Sequence, residues 1–209
     1  MSTSIVDVTF DYVIANGRWF DGTGGPSAIR HLGLRDGRVV TVSQTPLDTT
    51  DCGEVIDASG KWVIPGMLDI HTHYDIEVLG TPGLSESVRH GVTTMLIGSC
   101  SLSTICVTPS DAADLFSRVE AIPREFVVSE LEAGKTWTSV AEYVATLESL
   151  PLGPNVAAFI GHSDIRAARM GLDRATRKDV KPTEAELQDM EQVLIDALDA
   201  GFIGMSTSQ

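Results

Sequence analysis

The chain has 209 residues, of which 43% are hydrophobic and 21% are charged, and these proportions are typical of a folded globular protein rather than a disordered one. Its formal charge of -14 at pH 7 argues against nucleic acid and anionic membranes as partners, because phosphate binding depends on clustered Lys and Arg. No apolar run reaches the ~18 residues that a membrane span needs, and no targeting segment is visible, so we expect a cytoplasmic protein without membrane contact.

Short strands separated by turns are predicted between residues 10 and 62. The stretches "FDYVIANGRWF", "HLGLRDGRVVTVS" and "EVIDASGKWVI" are rich in β-branched and aromatic residues, and Asp36-Gly37 is a hairpin signal. The first part of the chain is therefore predicted to be a small β region.

After Pro65 the pattern changes to apolar runs that alternate with helical segments, which predicts parallel β/α units. We predict strands at residues 63–70, 93–99, 156–161 and 202–206. A short helix is expected at 111–121.

Two longer helices have readable start signals. Thr183 and Glu186 form a capping box before an apolar stripe, and Ser139 and Glu142 repeat this box before a helix that ends near Pro151. The stripe of the first of these helices consists of Leu187, Met190, Leu194 and Leu198.

The segment "GMLDIHTHYD" places His71 and His73 two residues apart near the C-terminal end of the first β/α strand. Side chains alternate along a strand, so both rings are expected to point the same way and to be able to bind one metal ion. Asp69 and Asp75 are candidates to orient the two rings. The alternative is that two histidines occupy a polar turn without a metal.

Two longer stretches resemble a known family. "VIDASGKWVIPGMLDIHTHYD" resembles the signature of the amidohydrolase superfamily, and "HGVTTMLIGSCSLS" is similar to the second-strand segment of the N-acyl-D-amino-acid deacylases (D-aminoacylase-like enzymes). In that family a cysteine at this point is a metal ligand, which by position is Cys100. The family usually has Asn-Cys-Gly here, whereas this chain has Ser99-Cys100-Ser101.

The resemblance implies an α/β fold in which residues 1–64 form the N-terminal part of a small β-sandwich subdomain. Residues 65–209 would then be the first half of a (β/α)8 TIM-type barrel. Such a barrel typically needs ~250 residues. Two further histidine ligands and the catalytic aspartate are expected beyond Gln209, so we expect a complementary polypeptide that carries the rest of the barrel.

A third stretch, "NVAAFIGHSDIRAARMG", resembles the third strand of that family and the loop after it. By this resemblance His162 lies at a strand end on the active-site face, with Ser163 and Arg166 behind it, and the three residues are candidates to contact substrate or to orient a metal ligand. A hydrogen-bonded structural role is the alternative for His162. Cys106 is expected to be a buried thiol rather than a ligand.

The activity implied by the resemblance is zinc-dependent hydrolysis, with one or two zinc ions, of the amide bond of an N-acyl amino acid, chiefly of D configuration. A hydantoinase-like or dihydroorotase-like hydrolase is one alternative, although the predicted fourth strand, "FIGMSTS", lacks the lysine that those enzymes use. A non-catalytic barrel scaffold is another. Self-association into a homo-oligomer is compatible with each of them.

Overall fold

The computed structural model describes residues 9–208, which divide into two compact units with the boundary between Pro65 and Gly66. Over these residues, none of the helices combines the length and the apolar character that crossing a membrane would require.

The first unit is a five-stranded mixed sheet. Its order is β3-β2-β1-β4, with β5 paired to β1; β1 runs antiparallel to β2 and parallel to β4 and β5. Asp36 and Gly37 both have positive φ, 51° and 70°, and form the hairpin turn that the sequence predicted. The predicted β region is confirmed, while a β-sandwich stays a prediction. The strands are β1 (Phe10–Trp19), β2 (Ala28–Arg35), β3 (Arg38–Ser43), β4 (Cys52–Asp57) and β5 (Trp62–Val63).

The second unit is built on a parallel sheet with the order β6-β7-β8-β9. It is a mixed α/β fold with a curled half-barrel sheet. The strands are β6 (Met67–Asp69), β7 (Val92–Ile97), β8 (Asn155–Gly161) and β9 (Gly204–Ser206). The helices are α1 (Glu77–Gly80), α2 (Ser85–Val88), α3 (Pro109–Val119), α4 (Arg124–Gly134), α5 (Val140–Ser149), α6 (His162–Met170), α7 (Leu172–Ala175) and α8 (Glu184–Asp199).

The predicted strand at 63–70 is wrong as a single element. It consists of β5 and β6, which belong to different sheets. Pro65 between them has no N–H to donate to a sheet. Gly66 next to it is packed so closely on Thr93 that a Cβ would lie 1.9 Å from the Thr93 hydroxyl oxygen.

Both predicted capping boxes are confirmed at the starts of α5 and α8. The predicted stripe of α8 is only partly correct, because Leu187 and Leu198 are 47% and 48% exposed. The face that packs on the core instead carries Met190, Val193, Leu194 and Ala197. Helices α4 and α6 were not predicted: α4 begins after Pro123 without a side-chain cap, and α6 begins immediately at the end of β8.

The main core of the second unit lies between the sheet and α5 and α8. The side chains of Met95, Ile97 and Ile160 are completely buried there. Burial of each such side chain contributes about 1.5–3 kcal/mol. Trp137 and Tyr143 meet edge to face with ring centroids 5.0 Å apart, an arrangement that aromatic quadrupoles favour. A second apolar cluster surrounds α3 and α4.

The outer strands of the parallel sheet each have one neighbour within residues 9–208. Apolar side chains on and beside them are exposed: Leu68 at 57% and Ile70 at 65% near β6, and Ile203 at 52% and Met205 at 40% near β9. A barrel would cover such edges with further strands.

A buried carboxylate links α6 to the segment that follows β7. Asp164 is fully buried and accepts hydrogen bonds from the backbone N–H groups of Ile105, Cys106 and Val107 at 2.8–3.0 Å and from the Ser103 hydroxyl. Removal from water raises the pKa of Asp164, and the hydrogen bonds that it accepts oppose that rise. This one side chain therefore holds the backbone of residues 103–107 in place.

We expect Asp164→Ala to lower the free energy of unfolding by about 3 kcal/mol or more, because three buried N–H groups lose their acceptor. Asp164→Asn should lower it less, since one acceptor oxygen remains. Urea unfolding measures both changes. Asp189→Ala, at an exposed position of α8, is the control and should stay near the wild type; equal stability of all three variants would contradict the anchoring role.

Candidate metal centre

His71 and His73 lie beyond the C-terminal end of β6, in a segment without regular structure. β6 ends at Asp69, but the Thr72 N–H still donates to the carbonyl oxygen of Leu96 in β7 at 3.2 Å. Thr72 is buried, whereas His71 is exposed and His73 is half-buried. The two rings come together edge to face, with centroids 5.4 Å apart.

Cys100 approaches from the end of the neighbouring strand. β7 ends at Ile97, and the Cys100 sulfur lies 3.0 Å from Nε2 of His71. One ligand atom from each of His71, His73 and Cys100 lies within 4.8 Å of the others. Ligand atoms bound to zinc lie roughly 2.0–2.3 Å from the ion, so small side-chain rotations suffice for the three to reach one ion.

The donor set fits a zinc-like ion. Two imidazoles and a thiol are ligands that zinc prefers, and Nδ1 of His73 is buried without a hydrogen-bond partner among the described residues. Burial lowers the pKa of His73, the nearby Glu120 carboxylate opposes this, and His71 adds to it. A lowered pKa keeps the ring neutral, which is the form that binds a metal.

Gly98 and the backbone after it shape the turn that carries Cys100. Gly98 has φ +77°, and a Cβ there would lie 2.0 Å from the carbonyl oxygen of Phe159. Cys100 and Ser101 also have positive φ, 51° and 72°. Left-handed backbone is unfavourable for residues with a Cβ, so this turn is strained at the position of the thiol.

Ser101, where the resembling family has glycine, is almost completely buried. Its hydroxyl lies 2.7 Å from that of Ser163 and accepts the Ser163 N–H at 2.8 Å. Its own N–H donates to the Ser206 hydroxyl at 3.0 Å. These contacts join the C-terminal ends of β7, β8 and β9 and offset the strain at Ser101.

The two predicted orienting carboxylates contact backbone rather than imidazole nitrogens. An Asp69 oxygen accepts the N–H of His71 at 3.2 Å. Asp75 is buried, and one oxygen accepts the Gly98 N–H at 3.2 Å, while the other has no partner among residues 9–208. Burial raises the pKa of Asp75 to about 7. Asp75 thus connects the loop of the histidines to the turn of Cys100.

His162 lies directly after the end of β8, at the strand end where it was predicted, and is the first residue of α6. Burial lowers its pKa, and the positive charge of Arg166 lowers it further. Ser163 contacts Ser101 as described above. Arg166 donates to the carbonyl oxygens of Ala175 and Val180, so these guanidinium donors stabilise the segment around α7.

Sequence reasoning missed Glu120, whose carboxylate oxygen lies 3.2 Å from Nε2 of His73. A surface cavity is lined by both of these residues together with Asp69, His71 and Glu77. Glu120 is 47 residues from His73 in the sequence and follows a surface helix, where a glutamate is unremarkable. No local pattern distinguishes it from other exposed acidic residues.

Residues 54–209 match the amidohydrolase family (Amidohydro_3), and the chain belongs to this family. It is 60% identical over 199 residues to an uncharacterized protein of Mycobacterium tuberculosis, covering 95% of this chain and 33% of that protein. It is 31% identical over 198 residues to an N-acyl-D-glutamate deacylase of Alcaligenes xylosoxydans xylosoxydans, covering 94% of this chain and 37% of the relative.

A solved structure shares the fold. The N-acyl-D-glutamate deacylase of Bordetella bronchiseptica, in complex with zinc and a phosphonate inhibitor that mimics the tetrahedral intermediate, superposes with a TM-score of 0.76 at 33% identity. The match covers 95% of this chain and 38% of that one. The resemblance predicted from sequence is confirmed. The chain spans a little over a third of the length of the relatives whose activity is named.

Cys106, six residues after Cys100, is largely buried beside Asp164, and burial followed by the Asp164 charge raises its pKa to about 12. We expect alkylation of Cys106 at pH 8 to be roughly 1,000-fold slower in the native than in the unfolded protein, because the thiolate is the reactive form. Its rate should keep rising with pH up to about 12.

Peptide mass spectrometry after timed iodoacetamide treatment measures this rate, with the peptide that contains Cys52 as an internal reference. Alkylation of native Cys106 at the rate seen in urea would contradict the burial of its thiol.

Proposed function

We propose that this chain supplies the first part of a metal-dependent hydrolase that cleaves the amide bond of N-acyl amino acids, with a preference for the D configuration. The observation that carries the proposal is the convergence of His71, His73 and Cys100 in a chain of the amidohydrolase family. The similarity to N-acyl-D-glutamate deacylases supports the substrate class.

In this proposal His71 and His73 provide neutral imidazole nitrogens and Cys100 provides a thiolate to one or two zinc ions. When bound, zinc supplies Lewis acidity toward the acyl carbonyl and acidifies water. Asp69 and Asp75 hold the backbone of the histidine loop and of the Cys100 turn. We assign His162, with Ser163 beside it, to substrate contact. Arg166 is assigned a structural role, because its guanidinium donates to backbone carbonyl groups of the segment around α7.

The proposal includes residues beyond these 209 that complete the barrel and supply two histidine ligands and an aspartate for proton transfer. The unpaired edges of β6 and β9 and the apolar side chains next to them support it. Residues 1–64 are assigned to a β-sandwich subdomain and residues 65–209 to the barrel. The completing segment belongs to the same chain or to a complementary polypeptide.

A cyclic-amide hydrolase of the same superfamily and a non-catalytic scaffold are the competing functions. The cluster of three ligand atoms disfavours the scaffold, because a barrel without chemistry has no need of a thiol and two imidazoles in contact. Substrate tests separate the two hydrolases.

We expect His71→Ala, His73→Ala and Cys100→Ala each to reduce zinc affinity by more than the roughly 10–100-fold that loss of an orienting partner causes. Competition with a chelator, followed by elemental analysis, measures the change in the protein that contains this chain and its completing segment. His90→Ala and Cys52→Ala are the controls, since His90 is an exposed side chain beside Glu86 and Cys52 lies in the other unit. Folded variants with wild-type zinc content would refute the ligand assignment.

We expect release of free amino acid from N-acetyl-D-amino acids, with acidic side chains tested first, and at least tenfold slower release from the L forms. Detection of primary amine over a panel of both configurations measures this. Turnover of hydantoin or dihydrouracil with no release from any N-acyl amino acid would establish the cyclic-amide alternative instead.

A further inference from the structure

The hydroxyl of Ser206 makes two hydrogen bonds, one on each side of Cys100 in the sequence. It accepts the N–H of Ser101 at 3.0 Å, and it donates its proton to the carbonyl oxygen of Gly98. A serine hydroxyl has one proton to donate and two lone pairs, so both hydrogen bonds can form at the same time. This pair of hydrogen bonds, the Ser206 bridge, spans the turn that carries the thiol.

Ser206 reaches the turn from a strand that is not next to it in the sheet. It is the last residue of β9, and β8 lies between β9 and β7. In the register of β8 and β9, Ser206 is paired with Gly161, the last residue of β8. A Cβ at Gly161 would lie 2.4 Å from the carbonyl oxygen of Ser101. The missing side chain therefore allows the turn and the Ser206 hydroxyl to meet across the end of β8.

The turn needs such a restraint because its backbone conformation is unfavourable. Cys100 and Ser101 both have φ in the left-handed region, which residues with a Cβ avoid. Residues in this region keep their conformation only where surrounding contacts fix it. The Cys100 sulfur lies 3.0 Å from Nε2 of His71, so a relaxed turn would move the thiol relative to that ring.

Other contacts of the turn leave a distinct role for the bridge. Asp75 contacts the turn before the thiol, through the Gly98 N–H, and Ser163 contacts it after the thiol, through the Ser101 hydroxyl. A backbone hydrogen bond from the Leu102 N–H to the Ser99 carbonyl oxygen closes the turn at 2.9 Å. Loss of the bridge should therefore loosen the turn without unfolding it.

We propose that Ser206 is the positioning residue of Cys100: its hydroxyl holds the left-handed turn so that the thiol faces the two histidines before a metal binds. Neighbouring groups that fix the orientation of a ligand increase its affinity for the metal. The inference rests on the metal centre proposed above, whereas the bridge itself is a property of the polypeptide. It makes the geometry of a ligand that follows β7 dependent on the position of β9.

The first test measures amide hydrogen exchange in metal-depleted protein that contains this chain and its completing segment. We expect the Ser101 amide to exchange roughly tenfold faster in Ser206→Ala than in the wild type, because it loses its acceptor. Ser206→Thr keeps a hydroxyl and should keep the protection. Ser117→Ala, at an exposed position of α3, is the matched control and should leave exchange at Ser101 unchanged.

Two results of this measurement would overturn the proposal whether or not a metal binds. One is an unprotected Ser101 amide in the wild type, which requires no variant. The other is equal exchange at Ser101 in the wild type and in folded Ser206→Ala.

The second test replaces zinc by cobalt(II), whose bond to a thiolate gives a charge-transfer absorption band. We expect Ser206→Ala to show a weaker band and a roughly 10–100-fold lower affinity for cobalt and zinc in chelator competition. Ser206→Thr should restore both, and Ser117→Ala should match the wild type. A merely structural role of Ser206 would lower the free energy of unfolding without changing the band of the folded protein. Circular dichroism verifies that each variant is folded.

The outcomes separate this proposal from the one on which it rests. An unchanged band and unchanged affinity in Ser206→Ala, alongside loss of both in Cys100→Ala, refute the positioning role and leave the metal centre intact. A wild-type protein that binds neither ion refutes the metal centre and the positioning role together, even if exchange at Ser101 shows that the bridge exists.

Discussion

The carboxylate of Asp164 fixes the segment that follows the second strand of the half-barrel, and the candidate metal centre depends on that segment. The backbone N–H groups of residues 105, 106 and 107 all donate hydrogen bonds to this one side chain, which is completely buried. Because Asp164 belongs to α6, the interaction joins consecutive β/α units of the sheet. The turn that carries Cys100 lies directly before this segment, so the C-terminal end of the turn is held in a fixed position.

The turn itself stores strain. Two successive residues with side chains, Cys100 and Ser101, adopt left-handed backbone, and Gly98 approaches the neighbouring strand too closely for any side chain. Such conformations persist when surrounding contacts determine them, and here the hydroxyl contacts of Ser101 and the hydrogen bond from Gly98 to Asp75 do so. The strained residues are those that direct the Cys100 thiol toward the two imidazoles. Backbone strain in proteins is commonly found at ligand-binding sites of this kind.

Sequence reasoning found what local patterns encode and missed what depends on distant contacts. The capping boxes of α5 and α8 and the hairpin at Asp36 were recognisable from residue types and spacing, whereas the approach of Cys100 to the two histidines was predicted only through the family resemblance. Asp164 and Glu120 were not, because a single acidic residue in a helical stretch gives no sign of the partner that it will meet. The boundary of the first barrel strand was also missed, since an apolar run continues across Pro65.

The exposed edges of β6 and β9 affect how a longer protein would be made. During synthesis the N-terminal part of a chain emerges first, so in a longer protein a half-sheet with Leu68, Ile70 and Met205 in contact with water would exist before any further strands were available. Two such nascent sheets could join edge to edge. A formal charge of -14 within 209 residues opposes that encounter through mutual repulsion, and the protection weakens as ionic strength rises. In such a longer protein the acidic composition would thus favour a high folding yield, separately from any role in binding substrate.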